Sequence, residues 1–379
     1  MDRRVKAGHP WVYANEARMS ADAKALTPGT LVVLCRADGK PLGVGAFNPR
    51  CLICFRMLGP PGETVDQAFF SGRLKRALNL RQRLFEAPYY RLVHGEADGL
   101  PGLVVDRFGD VLSVQTATAG MEELLPEILA ALDDVCAPKA VTLCNGGAFR
   151  KLEELERYAR AAKGSLDGPI EMQEGGLTFL ADPLGGQKTG WFYDQRDNRA
   201  FVAGLCRDAR VLDAYCYAGG FAVSAAAAGA AHVTAVDSSQ SALDLAAKAA
   251  KLNGVEKRCL FSRAVAFVEL ARLGEKGERF GVVCVDPPAF VKSRKDLKPG
   301  LKGYRKLARL AAGLVEPGGF LFIASCSHNV SAEAFAQEVS RGLGRTGRIL
   351  RAAGAAPDHP VHPQLPESAY LKTLVLQLD

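Results

Sequence analysis

The sequence predicts an α/β chain: a doubly wound parallel sheet in the C-terminal half, preceded by a small β-barrel-like module and a central α+β domain. Three observations carry this expectation. From about residue 177 onward, short apolar strand runs alternate with helical stretches. Residues 1 to about 68 hold strand-like runs broken by Gly and Pro, with no room for long helices. At 379 residues the chain exceeds one ordinary core. The expected domains are 1–68, 69–176 and 177–379.

In the first segment the strands are Thr30 to Arg36, Pro41 to Phe47 and Cys51 to Leu58. Gln67 to Phe85 has helical apolar spacing with Arg73, Lys75, Arg76, Arg81 and Arg83 on its polar side, and is expected to link domains and touch phosphate. The central segment offers strands at Leu103 to Val105 and Val111 to Gln115, a helix after Met121 and a strand near Val141. A charged helical stretch is expected from Lys151 to Lys163, and Asp98-Gly-Leu-Pro-Gly102 reads as a tight turn. The C-terminal strands are Arg210 to Ala214, His232 to Val236, Arg258 to Phe261, Val282 to Val285 and Phe320 to Ala324, with helices between them. Ligands on such a sheet bind beyond the carboxyl ends of the strands, so the residues just after each strand carry the chemistry.

Composition narrows the class. A hydrophobic content of 48% with 23% charged residues is that of a folded, soluble chain. Met1 to Lys6 is basic but is followed by Gly-His-Pro-Trp, which does not read as a signal peptide. The small-apolar run from Phe221 to Ala231 is too short to span a bilayer, so a cytoplasmic location without a membrane partner is expected. The ten cysteines are scattered, mostly with apolar neighbours, which is the usage of reduced thiols rather than a disulfide framework. Cys51 and Cys54 form a CxxC with no second ligand pair at zinc spacing, and no metal is expected there. The net charge of +7 is uneven: residues 1 to 91 hold 15 Lys and Arg against 7 Asp and Glu, and Lys292 to Arg309 holds eight Lys and Arg against one Asp. Such runs are often solvated helix faces, but two of them, one beside a candidate site, favour a polyanion partner.

The first chemical edge is Val211-Leu-Asp-Ala-Tyr-Cys-Tyr-Ala-Gly-Gly-Phe221. Gly219 and Gly220 lie between a strand and a helix, where a ligand can approach backbone and helix N-terminus; Asp213, Tyr215 and Ala218 belong to the same loop. The second strand runs into Asp237-Ser238, and Asp237 stands 24 positions after Asp213, at the spacing where a carboxylate takes a ribose diol. A dinucleotide or S-adenosylmethionine fits this pair equally; the absence of GxGxxG weakens the dinucleotide.

The fourth strand ends in Asp286-Pro-Pro-Ala-Phe290, a stiff turn with two backbone donors deleted. A flipped base gripped there would have Phe290 for stacking, although a rigid structural turn explains the prolines as well. Lys292, Arg294 and Lys295 follow as candidate phosphate contacts. The fifth strand ends in Ser325-Cys-Ser-His328, placing a thiol at the same rim as Asp286. Sulfur addition at C6 of a pyrimidine turns C5 into a methyl acceptor, and Cys326, in a polar setting, is the cysteine best suited to it.

Over nearly its full length the chain resembles the class I, PUA-containing cytosine-C5 methyltransferases of large-subunit rRNA. The matching segments are Gly8-His-Pro-Trp-Val12, Gly95-Glu-Ala-Asp-Gly-Leu-Pro-Gly-Leu-Val-Val-Asp106, Gly186-Gln-Lys-Thr-Gly-Trp-Phe-Tyr-Asp-Gln-Arg-Asp-Asn-Arg199, the Asp213 loop, Asp286 to Phe290 and Ser325 to His328. The resemblance implies an N-terminal RNA-binding PUA domain and a Rossmann-like methyltransferase domain. It also implies that S-adenosylmethionine is the cofactor and large-subunit rRNA the partner. Cys326 would be the nucleophile, Asp286 would orient and help protonate the cytosine, and Lys188, Arg196, Asp213 and Asp237 would lie in or near the cofactor site. Two positions depart from the pattern. Val265 stands where an acidic residue usually holds the adenine amino group, and Ala289 where other cytosine-C5 families carry a further cysteine. An exocyclic-amine methyltransferase, which needs no thiol, and an inactive RNA-binding assembly protein stay open, as does a homodimer.

Overall fold

A computed structural model of the chain describes residues 2–186 and 189–379. The chain divides into two compact units, one of 1–170 with 182–191 and 357–366, the other of 171–181, 192–356 and 367–379.

The first unit begins with a helix, α1 (Asp2–Lys6), and a short strand, β1 (Trp11–Tyr13). After α2 (Ala21–Ala25) come β2 (Thr30–Cys35), β3 (Pro41–Phe47) and β4 (Ile53–Gly59). These strands form an antiparallel sheet of order β1-β4-β3-β2 over a small core of Val5, Val12, Phe47, Cys54 and Phe55. Gly45 is required in β3, because a Cβ there would lie 2.2 Å from the Arg56 carbonyl oxygen. The long helix α3 (Gln67–Leu84) starts on an Asp66 cap and buries Phe69, Phe70, Leu74 and Ala77.

Beyond α3 lie β5 (Tyr89–His94), β6 (Leu103–Phe108), β7 (Val111–Thr116), α4 (Ala119–Glu123), α5 (Leu125–Cys136), β8 (Ala140–Asn145) and β9 (Tyr158–Lys163). The strands make a five-stranded sheet in sequence order, on which α3 and α5 pack through Leu74, Leu112, Val114, Ile128 and Leu143.

Two expectations fail in this unit. The stretch from Lys151 to Lys163 is not a helix: a 3-10 turn at Ala148–Glu153 leads into β9, which pairs with β8 at the sheet edge. The Ala, Arg and Lys of Tyr158–Lys163 favour helix in isolation, but the unpaired edge of β8 wins, and charged side chains suit an edge strand. Arg81 is not on the polar side of α3 either. It is fully buried, paired with both oxygens of Asp98 at 2.6 and 2.8 Å and donating to the carbonyls of Arg91 and Asp358. Trp11 Nε1 donates to Glu96 at 2.8 Å, joining two segments that carry the family resemblance.

In the second unit a hairpin, β10 (Ile170–Glu174) with β11 (Leu177–Ala181), precedes α6 (Arg196–Ala203). Then follow β12 (Arg210–Ala214), α7 (Gly220–Ala227), β13 (His232–Asp237), α8 (Gln240–Leu252), β14 (Cys259–Arg263), α9 (Ala266–Glu275) and β15 (Phe280–Val285). The chain ends with α10 (Leu297–Ala312), β16 (Val315–Ser325), α11 (Ala332–Leu343), β17 (Gly347–Ala353) and β18 (Lys372–Leu378). Among the described residues the main sheet has the order β14-β13-β12-β15-β16-β18-β17. The first five strands are parallel, as expected; β18 and β17 are antiparallel additions beyond the strands expected from the sequence.

One face of this sheet packs against α9, α10 and α11 through Leu270, Tyr304, Leu307, Phe335 and Val339, the other against α6, α7 and α8 through Val202, Phe221, Ala225 and Leu243. The strand order reverses between β12 and β15, and in open α/β sheets the ligand crevice lies at such a point. Among the described residues no helix is long and apolar enough to cross a membrane.

Candidate active site

The loop after β12 is built by backbone hydrogen bonds. Tyr215 and Tyr217 adopt φ of +67° and +48°, a left-handed conformation costing non-glycine residues about 1 to 2 kcal/mol each. Their neighbours hold them there: Tyr215 and Cys216 both donate to the Val236 carbonyl, and Tyr217 donates to Asp237 Oδ2 at 2.9 Å. At Gly219, with φ +80°, a Cβ would lie 2.8 Å from Ala246 Cβ, so glycine lets the loop press onto α8. Gly220 then opens α7, and Ala218 is buried beneath the turn.

Asp213 is 1% exposed and accepts the Ala222 N–H at 2.9 Å, which ties the end of β12 to the first turn of α7. Burial pushes its carboxyl up to about 8; the Ala222 hydrogen bond opposes the shift, and the charges of Asp286 and Asp237 add to it. Asp213 therefore shapes the loop from within.

Asp237, half-buried at the end of β13, accepts one N–H on each oxygen, from Tyr217 and from Ser239, both at 2.9 Å. Each carboxylate oxygen has a second lone-pair direction, so a ribose diol suits it. Ser238 is exposed beside it, and the Tyr215 hydroxyl is pushed up to about 12 by burial and by Asp237. Asp237 and Asp286 thus gather at one end of the sheet beside the buried Asp213, and their charge favours a cationic ligand. Glycine backbone, a diol acceptor and this negative field fit S-adenosylmethionine.

Asp286 follows β15 and Cys326 follows β16, neighbouring parallel strands in which Val285 pairs with Ile323. Gln195 Nε2 donates to Asp286 Oδ2 at 2.9 Å, and the Gln195 oxygen accepts from Asn198 at 2.7 Å. Cys326 is half-buried, with its Sγ 4.0 Å from the Pro287 carbonyl oxygen, so thiol and carboxylate share one Asp-Pro-Pro turn. Ser325 and Ser327 on either side are buried, and Ser327 Oγ receives the Val291 N–H at 3.1 Å and lies 2.8 Å from the Tyr304 hydroxyl. Cys216 is buried, and desolvation raises its thiol well above the ordinary value, as it does for Cys284. Burial therefore keeps both of those thiols protonated.

The other expected residues have these surroundings. Phe290 is half-buried in an aromatic row, its ring 5.8 Å from Phe267 and 4.7 Å from Tyr304. Arg196 lies over the Tyr193 ring and 3.9 Å from Glu174, the carboxylate that Arg199 grips with two hydrogen bonds. Lys188 lies outside the described residues. Val265 is 60% exposed, and its carbonyl already accepts the N–H groups of Val268 and Glu269 at the start of α9. Lys292, Arg294, Lys295, Lys298, Lys302, Arg305, Lys306 and Arg309 are all exposed, along the segment leading into α10 and along that helix. Among the described residues no cluster of His, Cys, Asp or Glu is placed to hold a metal.

Sequence reasoning misses Gln195, which contacts Asp286, and Lys372, whose Nζ donates to the Ser327 carbonyl next to Cys326. Gln195 is hidden among polar neighbours. Lys372 does leave a signal: it is the one charged residue in the run Tyr370-Leu-Lys-Thr-Leu-Val-Leu376.

Comparison with known proteins agrees with this geometry. Residues 91–377 match the S-adenosylmethionine-dependent methyltransferase family model, and residues 1–60 match a PUA-like domain. Proteins named ribosomal RNA large subunit methyltransferase I are similar along the whole chain. The one from Cronobacter sakazakii is 36% identical over 374 residues, covering 96% of this chain and 94% of its own length. The one from Escherichia coli O139:H28 is 35% identical with the same coverage. Among solved structures, a candidate SAM-dependent methyltransferase from Streptococcus mutans superposes with a TM-score of 0.85 at 19% identity, covering 99% of this chain and 97% of its own. A candidate methyltransferase complexed with SAH gives 0.86 at 18%, again covering 99% and 97%. With a family model spanning most of its length and relatives above one-third identity, the chain belongs to the S-adenosylmethionine-dependent methyltransferases and carries an N-terminal PUA-like domain.

Proposed function

We propose that this enzyme methylates C5 of a cytosine in large-subunit rRNA, with Cys326 as a covalent nucleophile. The observation that carries the reading is the placement of Cys326 and Asp286 at the ends of β16 and β15, on one Asp-Pro-Pro turn. The relatives named as large subunit rRNA methyltransferases support the substrate class.

In this reading Cys326 Sγ bonds to C6 of the ring, and the electron pair of the C5–C6 double bond moves to C5. Asp286, held by Gln195, orients the base and delivers a proton at its ring nitrogen, which stabilises the adduct. S-adenosylmethionine, when bound, supplies the methyl group as an electrophile. A base or solvent water then takes the C5 proton, its electron pair re-forms the C5–C6 double bond and expels the Cys326 thiolate, and the ring nitrogen returns its proton to Asp286.

The Tyr215–Gly220 backbone, Asp237 and Ser238 hold the cofactor, Asp213 fixes their loop, and Lys188 and Arg196 complete the surroundings. Lys292, Arg294 and Lys295 bind RNA phosphates, together with the PUA-like domain. The domain division is 1–68, 69–176 and 177–379, and the enzyme works in the cytoplasm.

The test is mass-spectrometric mapping of rRNA from cells with and without the protein. One 5-methylcytosine should vanish from large-subunit rRNA in its absence. Loss of a methyl group from an exocyclic amine instead would support the thiol-independent reading.

A further inference from the structure

We propose that Lys372 is the acid–base partner of Cys326, drawing the proton from its thiol and holding the thiolate that results. This rests on the reading of Cys326 as nucleophile and extends it to a residue on another strand.

Lys372 is the one charged residue in a strand that is otherwise uncharged. Lys372 starts β18 and stands opposite Ser325 in the β16–β18 ladder. Its Nζ donates to the Ser327 and Tyr370 carbonyls, both at 2.6 Å, and the residue is only 8% exposed. Ser325 and Ser327 bracket Cys326, so the amine is anchored to the backbone that carries the thiol. Two of the three hydrogens of an ammonium are committed to these carbonyls. A lysine buried this deeply is ordinarily paired with a carboxylate.

The groups around it are Cys326 on the end of β16, Tyr304 from α10 through its hydroxyl contact with Ser327, and His328 stacked on Tyr370 at 5.2 Å. Asp194 accepts the Tyr370 hydroxyl. Of these, Cys326 is the one whose charge acts on the Lys372 amine, and burial brings that amine down to about 8. Near pH 8 the amine is thus present in both forms, as a proton acceptor must be.

The step balances within the protein. The S–H bond breaks, the proton forms a third N–H on the amine to give the ammonium, and the sulfur electron pair is freed for C6. When the C6–S bond later breaks, the thiolate recovers the proton from Nζ, and Lys372 ends the turnover unchanged. Lys372 exchanges a proton with the nucleophile and does not act on the base.

The test needs neither RNA nor turnover. The rate of Cys326 alkylation by iodoacetamide, followed by peptide mass spectrometry across pH 6 to 10, reports the thiolate, while thermal melting and cofactor binding check the fold. In Lys372→Met the midpoint of Cys326 alkylation should rise by about one pH unit or more, with about tenfold slower modification at pH 7. Lys372→Arg, permanently charged, should restore reactivity at low pH. If the Met variant does not fold, the Arg variant carries the test through a midpoint shifted downward. An unchanged midpoint in every variant that folds overturns the proposal. Failure of the nucleophile reading looks different: Cys326→Ala would still methylate RNA, whatever the alkylation profiles show.

Discussion

The side-chain amide of Gln195 donates to Asp286 Oδ2 at 2.9 Å while its own oxygen accepts from Asn198 at 2.7 Å. Asn198 is in turn tied to the Gly354 carbonyl, so the orientation of Asp286 is set by a chain of amides running back into α6. Gln195→Ala should therefore leave cofactor affinity intact and slow single-turnover methylation about tenfold or more, the scale of one hydrogen bond to a charged group. Single-turnover rates beside calorimetry with S-adenosylmethionine check this. A wild-type rate would show that Asp286 is positioned without Gln195.

Asp237→Ala should weaken S-adenosylmethionine binding by roughly 1 to 3 kcal/mol through loss of a charge-assisted hydrogen bond. It also removes the acceptor for the Tyr217 and Ser239 N–H groups, so part of the loss will come from the loop itself. Calorimetry separates the two, because Asp237→Asn keeps one of those acceptors. Unchanged affinity in both variants would remove Asp237 from the site.

Asp213 makes a pH prediction. Its carboxyl is raised by burial to about 8, well above the unfolded value near 4. Protonation thus favours the folded state, and the stability linked to it is full below about pH 4 and is lost as pH rises towards about 8. Asp213→Asn keeps an acceptor for Ala222 but cannot ionise. The melting temperature of the wild type should fall relative to the variant between those limits. Parallel melting curves would argue that Asp213 is ionised at little cost.

RNA affinity should fall steeply with salt. Replacing Lys292, Arg294 and Lys295 by Ala should flatten the slope of log affinity against log salt by about 0.7 to 0.9 for each phosphate that the variant no longer neutralises. An unaltered slope would identify this exposed run as a solvated surface.

Much of the catalytic half is legible in the sequence because its parallel strands are short apolar runs that end in functional residues. Arg210–Ala214 is found at the expected bounds, and Asp237, Asp286 and Cys326 all lie at the carboxyl rim. Illegible features are those decided by tertiary pairing. Tyr158–Lys163 has helical composition but completes a sheet edge. Arg81 follows a helical polar pattern, yet Asp98 and two carbonyls draw it fully inside. Lys372 acquires meaning only once β18 pairs beside β16, some 45 residues after Ser327 in the chain.

The covalent role of Cys326 is tested most directly by trapping. An RNA fragment of the target carrying 5-fluorocytosine at the methylated position is incubated with enzyme and S-adenosylmethionine, and the product is resolved on a denaturing gel with peptide mapping. Fluorine at C5 blocks the final elimination, so a thiol mechanism leaves enzyme and RNA joined. The expected result is a stable adduct mapped to Cys326 and absent in Cys326→Ala, which should fold and bind cofactor normally but fail to methylate. Methylation by Cys326→Ala at the wild-type rate, with no adduct from either protein, would contradict it.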